Sequence, residues 1–554
     1  MKDISPDNFH SRCELRVDLS PRRTGVRCSR IRRPKGQRSI RLQESRTNPT
    51  RTDQAARALV IGLLCAVAAF VCLRGATGAV ADPDVGWHLR TGQWILQHHG
   101  FPHTDPFSRV SGATPWQAYS WLFELILLKL YGWMNLQGLM VFTAAMMALI
   151  AAAVYHMMSR LQADFTQRAV LTITVMFCLS RMSTPRPWLF TILFFALEMD
   201  ILMHVRQTGK SRELLWLPLI FALWANLHIQ FVDGLLVLGI AATEPLLERW
   251  WKSGTKGVPA RNLWLALAAC VAAACLNPYG PGIYKVAWQL GSQPGVLDSI
   301  AEMLALPFRT TGDFALLFMA LAAAGVLFKY RRLAPFETLM LAMAAVLSFR
   351  SRRDLWVMAI TAGAILAAGL PTRAEREDKK NLPAWALALS AASAALAFVA
   401  SVALLHLNNG RLQAMLAEKM PVRAVDVVKE RHYTGPLFND YDWGGFLIWN
   451  LREPVSIDGR AALYGDKAID RSRETWSGGA KWAADPDLQS AGVVIAPDGA
   501  ALTQLLRTDA RFELTYEDKV AAVFVARKDL KNEENSVAEL NRAGSAAGSP
   551  RQLP

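Results

Sequence analysis

The apolar residues of this chain are gathered into runs between Ala58 and Leu407, separated by short polar breaks. One soluble core does not read this way, but a stack of membrane spans does, since each span needs ~20 mostly apolar residues. Composition agrees: 52% of the 554 residues are hydrophobic and only 19% are charged, against ~25% in an ordinary soluble protein. Expected spans lie near 58–73, 137–158, 168–182, 187–205, 214–227, 231–250, 263–276, 313–329, 336–349, 354–370 and 383–407. That is about eleven. The expected fold is a polytopic α-helical membrane protein.

The net charge of +15 does not point to nucleic acid, because much of the excess sits in residues 1–57, including Arg30, Arg32, Arg33, Lys35, Arg38 and Arg41. That stretch has few large apolar residues and no convincing period, so disorder is expected. A basic tail before a first span is what the positive-inside rule expects of a cytoplasmic N-terminus, and an over-extended start gives the same pattern. Of the seven cysteines, none lies after Leu407, so neither a disulfide framework nor a cysteine metal site is expected there.

Topology turns on Tyr119–Trp133. This apolar piece contains Glu124 and Lys129 and is short for a span. If it crosses, the basic breaks 206–212, 252–261 and 329–332 all fall outside. If it lies on the membrane as an amphipathic helix, they fall inside together with 371–380, which the positive-inside rule prefers. The odd number of spans then puts the C-terminus outside. The expected layout is a cytoplasmic tail (1–57), a transmembrane domain (58–407) with a first outer loop (75–117) and a surface helix (119–133), an extracytoplasmic domain (408–530) and a disordered tail (531–554).

Residues 408–530 alternate short β-like runs with helical ones. GPLFND, EPVSIDGR and AGVVIAPDG read as strands followed by turns. DYDWGGFLIWNL and ALTQLLRTDA read as helices, and FELTYEDKVAAVFVARK as a hairpin turning at Glu517-Asp518-Lys519. The expectation is a small C-terminal α/β domain.

The first outer loop holds Asp82, Asp84, Asp105, four of the ten histidines and three tryptophans. Asp82 and Asp84 follow the first span, so their carboxylates belong near the outer surface. A carboxylate there serves as a base toward an acceptor hydroxyl or holds a divalent cation such as Mg or Mn; a solvated loop that starts with acidic residues looks the same. His88, His98, His99 and His103 lack metal-site spacing, which argues against zinc.

ADPDVGWHLRTGQWIL, then HTDPFS and SWLFELILLKLYG, resembles the corresponding segment of GT-C glycosyltransferases, in particular bacterial members related to protein mannosyltransferases and aminoarabinose transferases. The layout of 58–407 is similar to theirs. The resemblance implies a bacterial inner-membrane enzyme that transfers a sugar from a polyprenyl-phosphate carrier to a glycan, lipid or protein acceptor on the outer side. It maps the proposed catalytic aspartate onto Asp84, with Asp82 second, and places Trp87, His88 and Asp105 at the substrate. A phosphate leaving group needs fixed positive charge, and Arg186, Arg350, Arg352 and Arg353 fall at the outer face. The cluster 350–353 opposes the positive-inside rule, so it either binds an anion or pairs with Asp354. Asn226, His228 and Gln230 end a span on that side, to orient the sugar or phosphate or to cap the helix.

NDYDWGGFLIWNLREPVSIDGRAALYG resembles the region after the spans in oligosaccharyltransferase catalytic subunits, but the order Tyr441-Asp442-Trp443-Gly444-Gly445 departs from their Trp-Trp-Asp-Tyr-Gly motif. Two readings stand. In one, Asp442 caps a helix, Trp443 packs on the domain and Asp458-Gly459 makes a turn. In the other, Asp442, Trp443, Asp458 and Arg460 touch acceptor or sugar. The rival to the enzyme is a multi-span transporter or lipid-carrier flippase, which needs ionisable residues deep in the spans; Glu198, Asp200 and Glu244 are the candidates, expected toward inner ends.

Overall fold

The computed structural model describes residues 55, 58, 62, 80–109, 114–162, 164–251, 258–292, 300, 302–331, 333–371, 383–404 and 408–530. Nearly all of the tail 1–57 and of the first expected span, and the tail 531–554, lie outside the described residues.

The first outer loop contains α1 (Val85–His98), a helix the sequence reading missed. Asp84 stands at its N-terminus, where the helix dipole favours a negative charge. Next comes α2 (Trp121–Met134), on the segment expected to lie along the membrane. Its 14 residues make a helix of ~21 Å. At its start, Trp121 Nε1 donates to Asn226 Oδ1 over 2.8 Å. Near its end, the Leu130 carbonyl lies so close to Gly138 that a Cβ there would collide with it.

Helices then fill the remaining expected places: α3 (Leu136–Leu161), α4 (Phe165–Leu179), α5 (Trp188–Thr208), α6 (Leu217–Leu227), α7 (Phe231–Trp251), α8 (Ala260–Ala274), α9 (Gly282–Gly291), α10 (Thr311–Tyr330), α11 (Pro335–Arg350), α12 (Leu355–Gly369) and α13 (Ala384–Leu404). Of these α9 was not foreseen; Asn277 and Gly280, φ 52°, turn the chain into it. Among the described residues three helices, α3, α5 and α10, are long and apolar enough to cross a membrane by length and composition, against the roughly eleven spans expected. Every residue of α12 from Leu355 to Ala367 is buried. A helix apolar all round belongs inside a bundle, and α12 packs against α3, α4, α5, α10 and α11.

The bundle has two polar ends. The span of α5 separates them by ~30 Å, with Trp188 at one end and Arg206 at the other. Around Arg206 are Glu244, Glu337 at 3.0 Å and Arg331, itself 2.6 Å from Glu337. Arg160 reaches Asp200 at 2.7 Å and Glu213 at 2.6 Å. Asp200 and Glu244 therefore belong to ion pairs. Glu198 instead lies midway along α5, fully buried, with no hydrogen-bond partner for either carboxylate oxygen among the described residues; it is not near an end as expected.

After α14 (Asn409–Ala417) and α15 (Val422–Glu430) the chain forms the α/β domain: β1 (Leu437–Asn439), α16 (Gly444–Leu451), α17 (Ala461–Tyr464), α18 (Asp466–Trp476), α19 (Pro486–Gln489), β2 (Val493–Pro497), α20 (Ala501–Leu506), β3 (Phe512–Glu517) and β4 (Ala521–Ala526). The sheet order is β1-β2-β4-β3, with β1 parallel to β2 and the other pairs antiparallel. All six residues of β4 are buried, so both faces of this central strand are covered.

Two expectations need correction. EPVSIDGR is not a sheet strand: it makes one parallel bridge, Val455 with Ser108 of the first outer loop. Its polar groups satisfy β1 instead, where Asn439 exchanges hydrogen bonds with Ser456 at 3.0 and 3.1 Å. The cap before Trp443 is Asp440, whose carboxylate accepts from the Asp442 N–H at 2.9 Å, rather than Asp442.

The domain docks on the outer loop through glycine. A Cβ on Gly86 would collide with the Gly445 carbonyl, and one on Gly445 with the Pro83 carbonyl. Gly445→Val is expected to lower stability by about 1–3 kcal/mol through overpacking, read as a lower melting temperature of the detergent-solubilised protein. Gly499→Val, where a Cβ meets open space, should leave the melting temperature within a degree or so of wild type, on the order of an ordinary surface change.

Candidate active site

One guanidinium organises the acidic end of the first outer loop. Arg186, at the entry to α5, donates from Nε to Asp82 Oδ2 over 2.8 Å and from Nη1 to Asp84 Oδ2, while Nη2 lies 3.5 Å from Glu302. Asp84 is buried, and its N–H donates to Asp82 Oδ1 at 3.0 Å. Burial raises the proton affinity of the Asp84 carboxyl above the ordinary aspartate value; Arg186 opposes this and Asp82 adds to it. For Arg186 the balance runs the other way. Burial works against its charge, but Asp82, Asp84 and Glu302 together hold its pKa above the usual arginine value.

The second guanidinium is Arg460, only 7% exposed. It donates to Asp458 over 2.8 and 2.7 Å and to Asp105 over 2.6 Å. Its guanidinium carbon lies 4.8 Å from the ring centre of Trp116, 5.3 Å from Phe107 and 5.9 Å from Trp87, within the ~6 Å range of cation–π attraction. Tyr464 donates its hydroxyl to Asp458 Oδ2 at 2.5 Å. Asp105 also accepts from the Ser108 hydroxyl at 2.6 Å. Outer loop and C-terminal domain are thus joined by a buried, fully hydrogen-bonded charge cluster.

These two clusters meet at Gly459. A Cβ built on Gly459 would strike Asp84 Oδ1, so only glycine lets the Asp458–Arg460 turn press against this carboxylate.

Beneath them, His88 and Glu124 face each other at 3.4 Å, both buried. Burial pushes the His88 pKa well down, helped by Arg186, His228 and Arg460, and pushes the Glu124 pKa well up. Burial thus disfavours the charged form of both partners.

The remaining sequence-derived candidates divide. Arg353 belongs at this end: its guanidinium carbon is 5.7 Å from the Trp188 ring centre, the same ring that Arg186 overlies at 5.0 Å. Its Nε is buried and has no hydrogen-bond partner among the described residues. Arg352 instead donates to the Ala305 carbonyl at 3.2 Å, and Arg350 is exposed at the end of α11. Asp354 accepts from Gln230 at 2.9 Å. His228 is buried and hydrogen-bonded to Thr191 at 2.8 Å, which accepts in turn from Trp224. Trp443 is buried in the domain core and donates to the Lys419 carbonyl at 3.2 Å. Asp442 is exposed near the carboxylates. Sequence reading missed Glu302 and Tyr464, and took Gly459 only as part of a turn.

Among the described residues no group of three or more His, Cys, Asp or Glu side chains is arranged to hold a metal ion. The Asp82–Asp84 pair does not fit a divalent cation as arranged, because Arg186 stands between the two carboxylates where the ion would sit.

No protein-family model matches the chain, and no curated protein matches it. Solved structures similar in layout include the Archaeoglobus fulgidus oligosaccharyltransferase tethered to an acceptor peptide containing the NVT sequon (TM-score 0.48, 11% identity, 79% of this chain and 69% of that chain). The same enzyme in its apo form matches with a TM-score of 0.45 and 12% identity over the same shares. ArnT from Cupriavidus metallidurans bound to undecaprenyl phosphate matches with a TM-score of 0.44 and 13% identity, covering 86% of this chain and 98% of that chain.

Arg460→Ala leaves Asp105 and Asp458 buried without their cation, a loss of about 3–5 kcal/mol for a broken buried pair. It should appear as early thermal unfolding together with new protease cleavage in residues 100–117. Gly459→Ala should cost less, about 1–3 kcal/mol, measured in the same melt.

Proposed function

We propose that this chain is a GT-C-type membrane glycosyltransferase that moves a sugar from a polyprenyl-phosphate-linked donor to an acceptor at the outer face of a bacterial inner membrane. The observation that carries this reading is the buried Asp84 carboxylate, paired with Arg186 and pressed by the C-terminal domain at the polar end of the bundle that also holds Arg353. The basic residues at the other end, Arg206 and Arg331, suit the cytoplasmic side. The N-terminus is then inside and the α/β domain outside.

In the reaction the acceptor hydroxyl oxygen attacks the anomeric carbon of the donor sugar. The bond from that carbon to the phosphate oxygen breaks, and its electron pair leaves with the polyprenyl phosphate. The hydroxyl proton passes to Asp84, whose raised proton affinity suits a general base. Arg353, with a buried donor unspent among the described residues, stabilises the phosphate oxygens as charge grows on them. Arg186 holds Asp84 in place and adds positive potential. No step is assigned to a metal ion.

The carrier-moving alternative rests on Glu198, midway along α5 and buried. Substrate uptake by sealed vesicles without a glycosidic product would favour it.

Asp84→Asn is expected to abolish transfer of radiolabelled sugar from a polyprenyl-phosphate donor while expression stays intact; full activity in this variant overturns the assignment. Transfer should also fall in acid. The base must be ionised, and burial raises the Asp84 pKa, so the acid limb lies above the ordinary aspartate range of about 3.9. Arg186→Gln removes a charge that lowers this pKa, so residual activity should show its acid limb at higher pH.

A further inference from the structure

The C-terminal domain carries a cavity that the reaction above does not use. It has a volume of ≈ 340 Å³, at the small end of the about 300–1,000 Å³ found for small-molecule sites. One wall is the turn Asp440-Tyr441-Asp442. The other is one face of α18, where Ile469, Ser472, Arg473 and Trp476 recur at helical spacing, and Ile457 and, from outside the domain, Ile300 complete the lining. Trp476 is held rigid by stacking on Phe438, with ring centres 5.3 Å apart.

The cavity adjoins Asp84. The Tyr441 hydroxyl donates to the Gly459 carbonyl over 3.2 Å, and Gly459 is the residue that presses on the Asp84 carboxylate. Asp442 feels the charges of both Asp84 and Glu302. Tyr441 and Gly459 thus stand between the cavity and the proposed base.

Its lining selects among occupants. A peptide bound by strand addition needs a free sheet edge. The exposed side of β1 is already taken, since Asn439 hydrogen-bonds Ser456 and donates to the Ile457 carbonyl at 2.8 Å. A lipid chain needs a continuous apolar wall, and here carboxylates, hydroxyls and a guanidinium alternate with isoleucine and aromatic surface. That alternation suits a sugar ring, whose vicinal hydroxyls would donate to Asp440 and Asp442 and whose C–H face would meet the half-buried Tyr441 ring.

We propose that this cavity binds a saccharide unit of the acceptor, so that the acceptor is a glycan rather than a peptide or a lipid alone. The proposal rests on the glycosyltransferase reading for the word acceptor, but the cavity's ligand class is testable without catalysis. Burial puts the Asp440 carboxyl at about 6, so saccharide binding should weaken in acid as that acceptor is protonated.

The test is saturation-transfer NMR on the full chain in nanodiscs, with maltose, cellobiose, lactose and chitobiose as probes and a Gly-Ser hexapeptide as the competitor. At least one disaccharide should bind wild type. Ser477→Trp, which fills the mouth from an exposed position, should weaken that binding about tenfold, the loss expected for ~1.4 kcal/mol. Arg473→Ala, on the exposed side of α18, gives a second reading without touching the core. The proposal is overturned if no disaccharide binds, if both variants bind like wild type, or if the hexapeptide displaces the sugar. Asp84→Asn should keep saccharide binding. Binding retained without any transfer by wild type would refute the glycosyltransferase reading and leave the saccharide site standing.

Discussion

The guanidinium of Arg460 is shared between two carboxylates that are far apart in the chain, Asp105 in the first outer loop and Asp458 in the C-terminal domain. Three aromatic rings surround it. Such a group is costly to bury and tolerable only with every partner in place. It therefore fixes geometry more than it adds stability: the loop can approach the domain in only the arrangement that satisfies Arg460. The close contact of Gly86 with Gly445 follows from that arrangement and leaves no space for slippage.

Everything at the proposed reaction centre depends on this junction. Asp84 is set by α1 on one side, by Arg186 from the bundle on a second, and by Gly459 from the domain on a third. Preorganisation of this kind keeps a carboxylate dry and still ready to take a proton. The buried His88–Glu124 contact belongs to the same logic. Two ionisable groups that would each be costly as buried charges share a hydrogen bond instead.

The opposite end of the bundle uses ion pairs differently. Arg206, Glu244, Glu337 and Arg331 neutralise one another, which leaves little to bind a ligand. At the Asp84 end, by contrast, Arg353 keeps a buried donor without a partner among the described residues.

Much of the architecture was legible because hydrophobic runs and turn residues are local signals. The bundle helices from residue 136 to 404 other than α9, the short helix after Ser120, α16, α20, β1, β2 and the β3–β4 hairpin stand where composition and period placed them, whereas α14, α15, α17, α18 and α19 were not foreseen. Helix α1 was not legible: its buried face is built from Trp87, His88 and Thr91 as well as apolar residues, so its period is hidden. Val455 looked like a strand residue because extended backbone and β-branched side chains are shared by strands and loop bridges. The sequence alone determined that Asp82 and Asp84 lie at the end of an apolar run and that the chain then re-enters apolar surroundings. Only the tertiary structure decided that Arg186, more than one hundred residues away, would clamp them and that Gly459 would close over them. Ion pairs between distant residues leave no periodic trace in a sequence; they exist only once the backbone has brought the charges together.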